Sequence, residues 1–171
     1  MKKTRYLMAA AVATLVFSPS VWAQETPDKE RADLAKAVSA AKVTLEKGLS
    51  ASATEGKPIS AKFEIDEGKL QLSVYTTKSD KFYEATVDHQ TGKVAGTEPI
   101  TEGEDLAAAR SQSDAMAKAR LSLREAVSKA VAEHKGLLAV SVFPEIKDSH
   151  PVAEVSLVKG EECKTVTEKL D

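Results

Sequence analysis

The stretch Ile59-Ser60-Ala61-Lys62-Phe63-Glu64-Ile65-Asp66-Glu67-Gly68-Lys69-Leu70-Gln71-Leu72-Ser73-Val74-Tyr75 decides the fold. Ile59, Ala61, Phe63 and Ile65 alternate with Ser60, Lys62, Glu64 and Asp66. After the turn Asp66-Glu67-Gly68-Lys69, Leu70, Leu72 and Val74 alternate with Gln71, Ser73 and Tyr75. Two runs of period two joined by a glycine-bearing turn form an antiparallel hairpin with one packed face and one wet face. A third run follows, in which Tyr83, Ala85 and Val87 alternate with Phe82, Glu84, Thr86 and Asp88. It ends in the turn His89-Gln90-Thr91-Gly92, whose backbone N–H groups the Asp88 carboxylate is placed to cap.

Helices are expected on either side of these strands. Asp33 precedes Leu34, Val38, Ala41 and Leu45, one face of a 3.6-residue period, with Lys47 in the last turn and Gly48 as the stop. Residues 49–58 read as a loop. Residues 98–120 join the two halves, and the Ala-rich part from Asp105 to Arg120 favours helix. Ser122-Leu123-Arg124-Glu125 has the pattern of a capping box, opening a helix whose apolar face is Leu123, Val127, Ala130 and Val131, before Gly136. Strands are expected at 138–143, 152–158 and 163–170, with Pro144 and Asp148-Ser149-His150-Pro151 marking the turn between the first two.

Helix then three strands therefore occurs twice. The match is partly literal, since Leu34-Ala35-Lys36-Ala37-Val38-Ser39 and Leu123-Arg124-Glu125-Ala126-Val127-Ser128 share Leu, Ala, Val and Ser. Val87-Asp88 likewise matches Leu170-Asp171. The expectation is an α+β fold of two repeats, 33–98 and 121–171. Each packs one helix on a small antiparallel sheet, and a helical linker at 99–120 joins them.

The 171 residues begin with the three parts of a secretory signal peptide. Lys2, Lys3 and Arg5 precede an apolar core from Leu7 to Phe17, too short to span a bilayer, and Val21-Trp22-Ala23 suits cleavage. Residues 24–32 then form a polar leader. No cysteine stands near the cleavage point, so the expected product is periplasmic, not lipidated and not stably inserted in a membrane. Cleavage removes three of the 24 basic residues and none of the 26 acidic ones, leaving 21 against 26, a net charge of −5 in place of −2. That balance argues against a nucleic-acid partner, which needs clustered positive charge. With 42% hydrophobic and 29% charged residues the chain is expected to be globular. Cys163 is the sole cysteine, so no intramolecular disulfide can form. It reads either as a passive strand residue sharing a face with Thr165 and Thr167, or as a reactive or intermolecular thiol.

The helix opening Leu-x-x-Ala-Val-Ser, the hairpin, and the ending Tyr83-Glu84-Ala85-Thr86-Val87-Asp88-His89-Gln90-Thr91-Gly92-Lys93-Val94 together resemble a PepSY domain. That family's recognisable ending is a strand running into Val-Asp, two variable residues and Thr-Gly-x-Val. The first repeat carries it in full; the second resembles the family in its helix and strands but lacks the Thr-Gly turn. PepSY domains occur in propeptides of secreted metallopeptidases, in envelope proteins and as small exported proteins. The resemblance implies a non-enzymatic module that binds envelope partners, a peptidase inhibitor or regulator acting in trans, with no cofactor.

The candidate partner-binding residues are Tyr75, Phe82 and Thr86, which fall on the sheet face opposite the helix-packing set. The bland reading is that the repeats, or the 98–120 segment, cover that face. Asp88 with His89 could begin a ligand site, although turn capping explains both. His134 fits the end of a helix, and Asp148 with His150 fits a turn. The acidic residues Glu98, Glu102, Glu104 and Asp105 lack the regular spacing of a calcium loop. The alternative function is a metal or small-ligand carrier using Asp88, His89 and this acidic linker, and a weaker third is an enzyme whose site is assembled from both repeats.

Overall fold

The computed structural model describes residues 28–171; the signal segment and the start of the leader lie outside the described residues. Among the described residues the chain is α+β, with four α-helices and a seven-stranded antiparallel sheet. Its elements run α1 (Asp28–Ser39), α2 (Leu45–Ala51), β1 (Lys57–Asp66), β2 (Lys69–Lys78), β3 (Lys81–Val87), β4 (Val94–Ile100), α3 (Gly103–Lys118), α4 (Leu123–Glu133), β5 (Leu138–Lys147), β6 (His150–Lys159) and β7 (Glu162–Lys169).

The strand order is β4-β3-β2-β1-β5-β6-β7, so the two halves share one sheet. They meet where β1 pairs with β5 at Ala61↔Val142 and Lys62↔Ser141. The hairpins on either side are tight. Glu67-Gly68, Ser79-Asp80 and Asp148-Ser149 all have positive φ, the backbone that two-residue loops need to match strand twist.

Alternation sorts the side chains by face. Ile59, Ala61, Phe63, Leu72, Val74, Val142 and Val155 are buried on one side, beneath α2 and α4. Glu168 is on that side too, 4% exposed, and Lys129 of α4 reaches it at 2.6 Å. On the opposite face α3 crosses the middle strands, with Gln112 Oε1 accepting a hydrogen bond from Ser60 Oγ at 2.6 Å. α1 contributes Ala35 and Val38 to the core.

Several expectations are corrected. The expected helix over 33–47 is two helices, broken where the Lys42 and Val43 N–H groups donate to His89 O. Part of the expected leader is the first turn of α1. Gly48 is no stop but lies inside α2, because its missing side chain lets the helix settle on Leu72. A fourth strand, β4, which the count of three strands per repeat left out, pairs with β3 at the end of the expected first repeat and runs two residues into the expected linker. Pro144 is not in a turn but in β5, paired with Ala153 on β6 and outside the two-residue stretch paired with β1. The capping box at Ser122–Glu125 is present as expected, with both reciprocal bonds made.

Two predictions test this packing. A Cβ at Gly48 would sit 2.6 Å from Leu72 Cδ2, and Leu72 is fully buried. Gly48→Ala should therefore destabilise the chain by about 1–3 kcal/mol in denaturant titration, overriding the helix-propensity gain of alanine. Among the described residues Thr76 Oγ1 is buried without a hydrogen-bond partner. Thr76→Val removes that hydroxyl and keeps the branching, so it should raise stability by about 1 kcal/mol in the same assay.

Candidate functional site

The sheet face crossed by α3 carries the residues singled out for partner binding. Tyr75 stands on β2 beside Glu84 of β3, and Thr86 stands beside Ser73. Helix α3 presents Ala108, Ala109 and Gln112 to Lys62, Tyr75 and Phe143. Alanine allows a close approach, and the crevice that remains is about 10 Å³, no more than a single water. Tyr75 is thus half-buried under α3, which corrects its reading as a wet contact residue; the 98–120 segment covers it. Phe82 and Thr86 lie further out on β3 and are also half-buried, with Phe82 paired to Ile100 of β4.

Polar groups surround Tyr75. Lys62 Nζ is 6.0 Å from the Tyr75 ring centroid and 2.6 Å from Glu64 Oε2, while Glu64 Oε1 accepts from Ser73 Oγ at 3.1 Å. Burial pushes the Tyr75 hydroxyl up, and the carboxylates of Glu84, Glu64 and Asp105 push it the same way, so the phenol stays protonated. It can donate a hydrogen bond but cannot serve as a base near neutral pH.

Asp88 and His89 form a turn. Asp88 Oδ1 accepts from the N–H groups of Gln90 at 2.9 Å and Thr91 at 2.7 Å. Those bonds hold the Asp88 carboxyl below the ordinary aspartate range. His89 supplies its backbone carbonyl to Lys42 and Val43, tying the turn to the α1–α2 connection, and its Nδ1 lies 3.0 Å from Gln90 Nε2. The other histidines are spread apart. His134 caps the end of α4, where Lys164 Nζ lies 3.3 Å from its Nδ1, and His150 pairs with Asp171 at 2.5 Å. Glu98 lies on β4 opposite Glu84, and Glu104 and Asp105 sit in the first turn of α3, where the helix dipole favours acids. Glu102 is the N-cap residue of α3. Cys163 is exposed on β7. Among the described residues no group of three His, Cys, Asp or Glu side chains comes together to hold a metal ion.

A wider concavity lies elsewhere, between α2, the start of β1 and the α3–α4 connection. It is a groove of about 470 Å³ with a floor that includes Leu49, Pro58, Met116 and Leu123. Lys57, Arg120 and Arg124 line its rim, and no carboxylate does. Leu121, between the two arginines, is 39% exposed. Sequence reasoning read Arg120 only as the end of an Ala-rich helix and Arg124 only as part of a capping box. The available signal was Arg124 in the first turn of a helix, the end where the dipole disfavours a cation.

No family model and no curated protein matches the chain. Among solved structures it is similar to a protein from Clostridium difficile 630 described as a "putative lipoprotein", at 15% identity and a TM-score of 0.41, over 70% of this chain and 79% of that one. No described helix is long and apolar enough to cross a membrane.

The Asp88 cap has a pH signature. Its carboxyl is lowered in the folded chain, so its stabilisation is complete above about pH 4 and is lost as pH falls through the folded value. Asp88→Ala should melt below the wild type at pH 7, and the gap should close as both are melted at progressively lower pH down to 2.

Proposed function

We propose that this chain is an exported, non-catalytic binding module made of two copies of one PepSY-like unit, α1–β4 and α3–β7, acting in trans on an envelope peptidase. Support for duplication comes from the strand order, in which β1 and β5 open their halves and meet antiparallel at the centre. Export rests on the signal-like residues 1–23. The non-catalytic reading is supported by Asp88, His89, His134 and His150, whose polar groups are engaged in turns, caps and an end-to-end pair.

One observation carries the binding reading. The edge strand β4 is exposed from Ala95 to Pro99, and at its end Ile100 pairs with Phe82 of β3, both half-buried. An exposed edge accepts an extended peptide by main-chain hydrogen bonding, and an adjacent apolar pair supplies a side-chain pocket. An extended segment of a peptidase, laid along β4, would meet both.

The test passes an envelope extract of the source organism over the immobilised chain and then assays any captured peptidase with the chain in solution. The expected result is dose-dependent inhibition, with Phe82→Ala and Thr86→Arg each weakening it about tenfold, or about 1.4 kcal/mol, while circular dichroism shows the fold retained. Capture of no peptidase, or inhibition unchanged in both variants, overturns the reading.

A further inference from the structure

The groove beside α4 is separate from the β4 edge and has a chemistry of its own. Nearly buried Leu49, Met116 and Leu123 close its base, half-buried Pro58 and Ala119 line it, and Ala53 and Leu121 are exposed along its wall. Its rim carries three cations in a chain whose formal charge is −2. Arg120 and Arg124 make no salt bridge among the described residues, and Lys57 Nζ donates to Met116 O at 3.0 Å. The nearest acid in sequence, Glu125, caps the start of α4, its Oε2 accepting from Ser122 N at 2.8 Å and Ser122 Oγ at 2.7 Å. Those bonds, and to a smaller degree the charge of Arg124, hold the Glu125 carboxyl below the ordinary glutamate range, so Glu125 offsets part of the Arg124 charge and Arg120 carries the rest of the rim's positive character.

We infer that this groove binds a single-chain amphiphile with a carboxylate head, a fatty-acid anion. Guanidinium groups match carboxylates in a forked two-bond geometry, and Arg120 and Arg124, with three residues between them in the chain, both line the groove. At roughly 30 Å³ for each water-sized group, a groove of about 470 Å³ has room for one medium-length acyl chain and not for two. Leu121, exposed between the two arginines, extends the apolar wall to the rim, where the chain meets its head. A fully polar anion would leave the apolar wall at Ala53, Pro58 and Leu121 unused, and a neutral hydrocarbon would leave Arg120 without a carboxylate.

The experiment is isothermal titration of the purified chain with dodecanoate, below its micellar concentration, at low and at high salt. Saturable one-to-one binding is expected, weakening with salt because the head contacts are exposed. Each methylene added to the chain should tighten it roughly fourfold. Dodecyltrimethylammonium, with the same tail and the opposite head, should bind at least tenfold more weakly. The double variant Arg120→Gln/Arg124→Gln should raise Kd at least tenfold with an unchanged Tm. Ala53→Trp fills the groove without touching a charge and should abolish binding, with circular dichroism confirming the fold. Equal affinity for the two amphiphiles, or an unchanged Kd in the double variant, overturns the inference. So does binding to anionic vesicles or to an acidic peptide without binding to monomeric dodecanoate.

Discussion

The molecule depends on a seam only two residues long. Ala61↔Val142 and Lys62↔Ser141 are the paired positions between β1 and β5, and through them two hairpin systems become one sheet. So few ladder bonds cannot hold the halves by themselves. The seam is reinforced from both faces. α2 and α4 lie side by side over Ala61, Val142 and Val155, and on the other face α3 crosses β1, β5 and β6. Ser60, fully buried in β1, is tied to Gln112 in the middle of α3.

This double cover explains the distribution of small residues. The alanines of α3 look like a neutral spacer in the sequence, yet Ala109 and Ala115 are buried and Ala108 closes over the sheet. A larger residue at those positions would lift α3 away from Tyr75 and Phe143. Gly48 plays the same part on the other face, bringing α2 down on Leu72. The polar side chains left under the helices are paired, as burial requires: Glu168 with Lys129, and Ser60 with Gln112. Thr76 departs from that rule.

The strands were legible because alternation is a local property, and every strand of the first hairpin follows it. The capping box at Ser122 was legible for the same reason. What local pattern could not supply was which wet face would be covered. Tyr75 alternates as a solvent-facing residue should, and only the tertiary course of α3 buries it. The break between α1 and α2 was hidden too, because it is held by the His89 carbonyl, nearly fifty residues away. The six-residue sequence match pairs α1 with α4, whereas the helix that stands beside α4 and leads directly into its own half's first strand is α2. Similarity of sequence and equivalence of position thus diverge within one chain. The groove was illegible as a pocket, since Leu49, Pro58, Met116 and Arg124 come from four separate elements or their connections.

The groove follows from the seam. Once α3 reinforces one face and α4 the other, the chain must pass around the end of the sheet between Lys118 and Leu123. That passage is anchored where Arg120 N and Leu121 N both donate to Leu170 O, at 2.6 and 3.0 Å. The anchor fixes the start of α4 at a distance from α2, and the gap between them has an apolar floor because both helices turn their packed faces toward the sheet. Leu121 cannot follow Leu123 into the core, since its backbone is committed to the crossing. Arg120 on this anchored connection and Arg124 in the first turn of α4 thus leave fixed backbone positions at the groove, so less order has to be imposed there on binding than a flexible loop would demand.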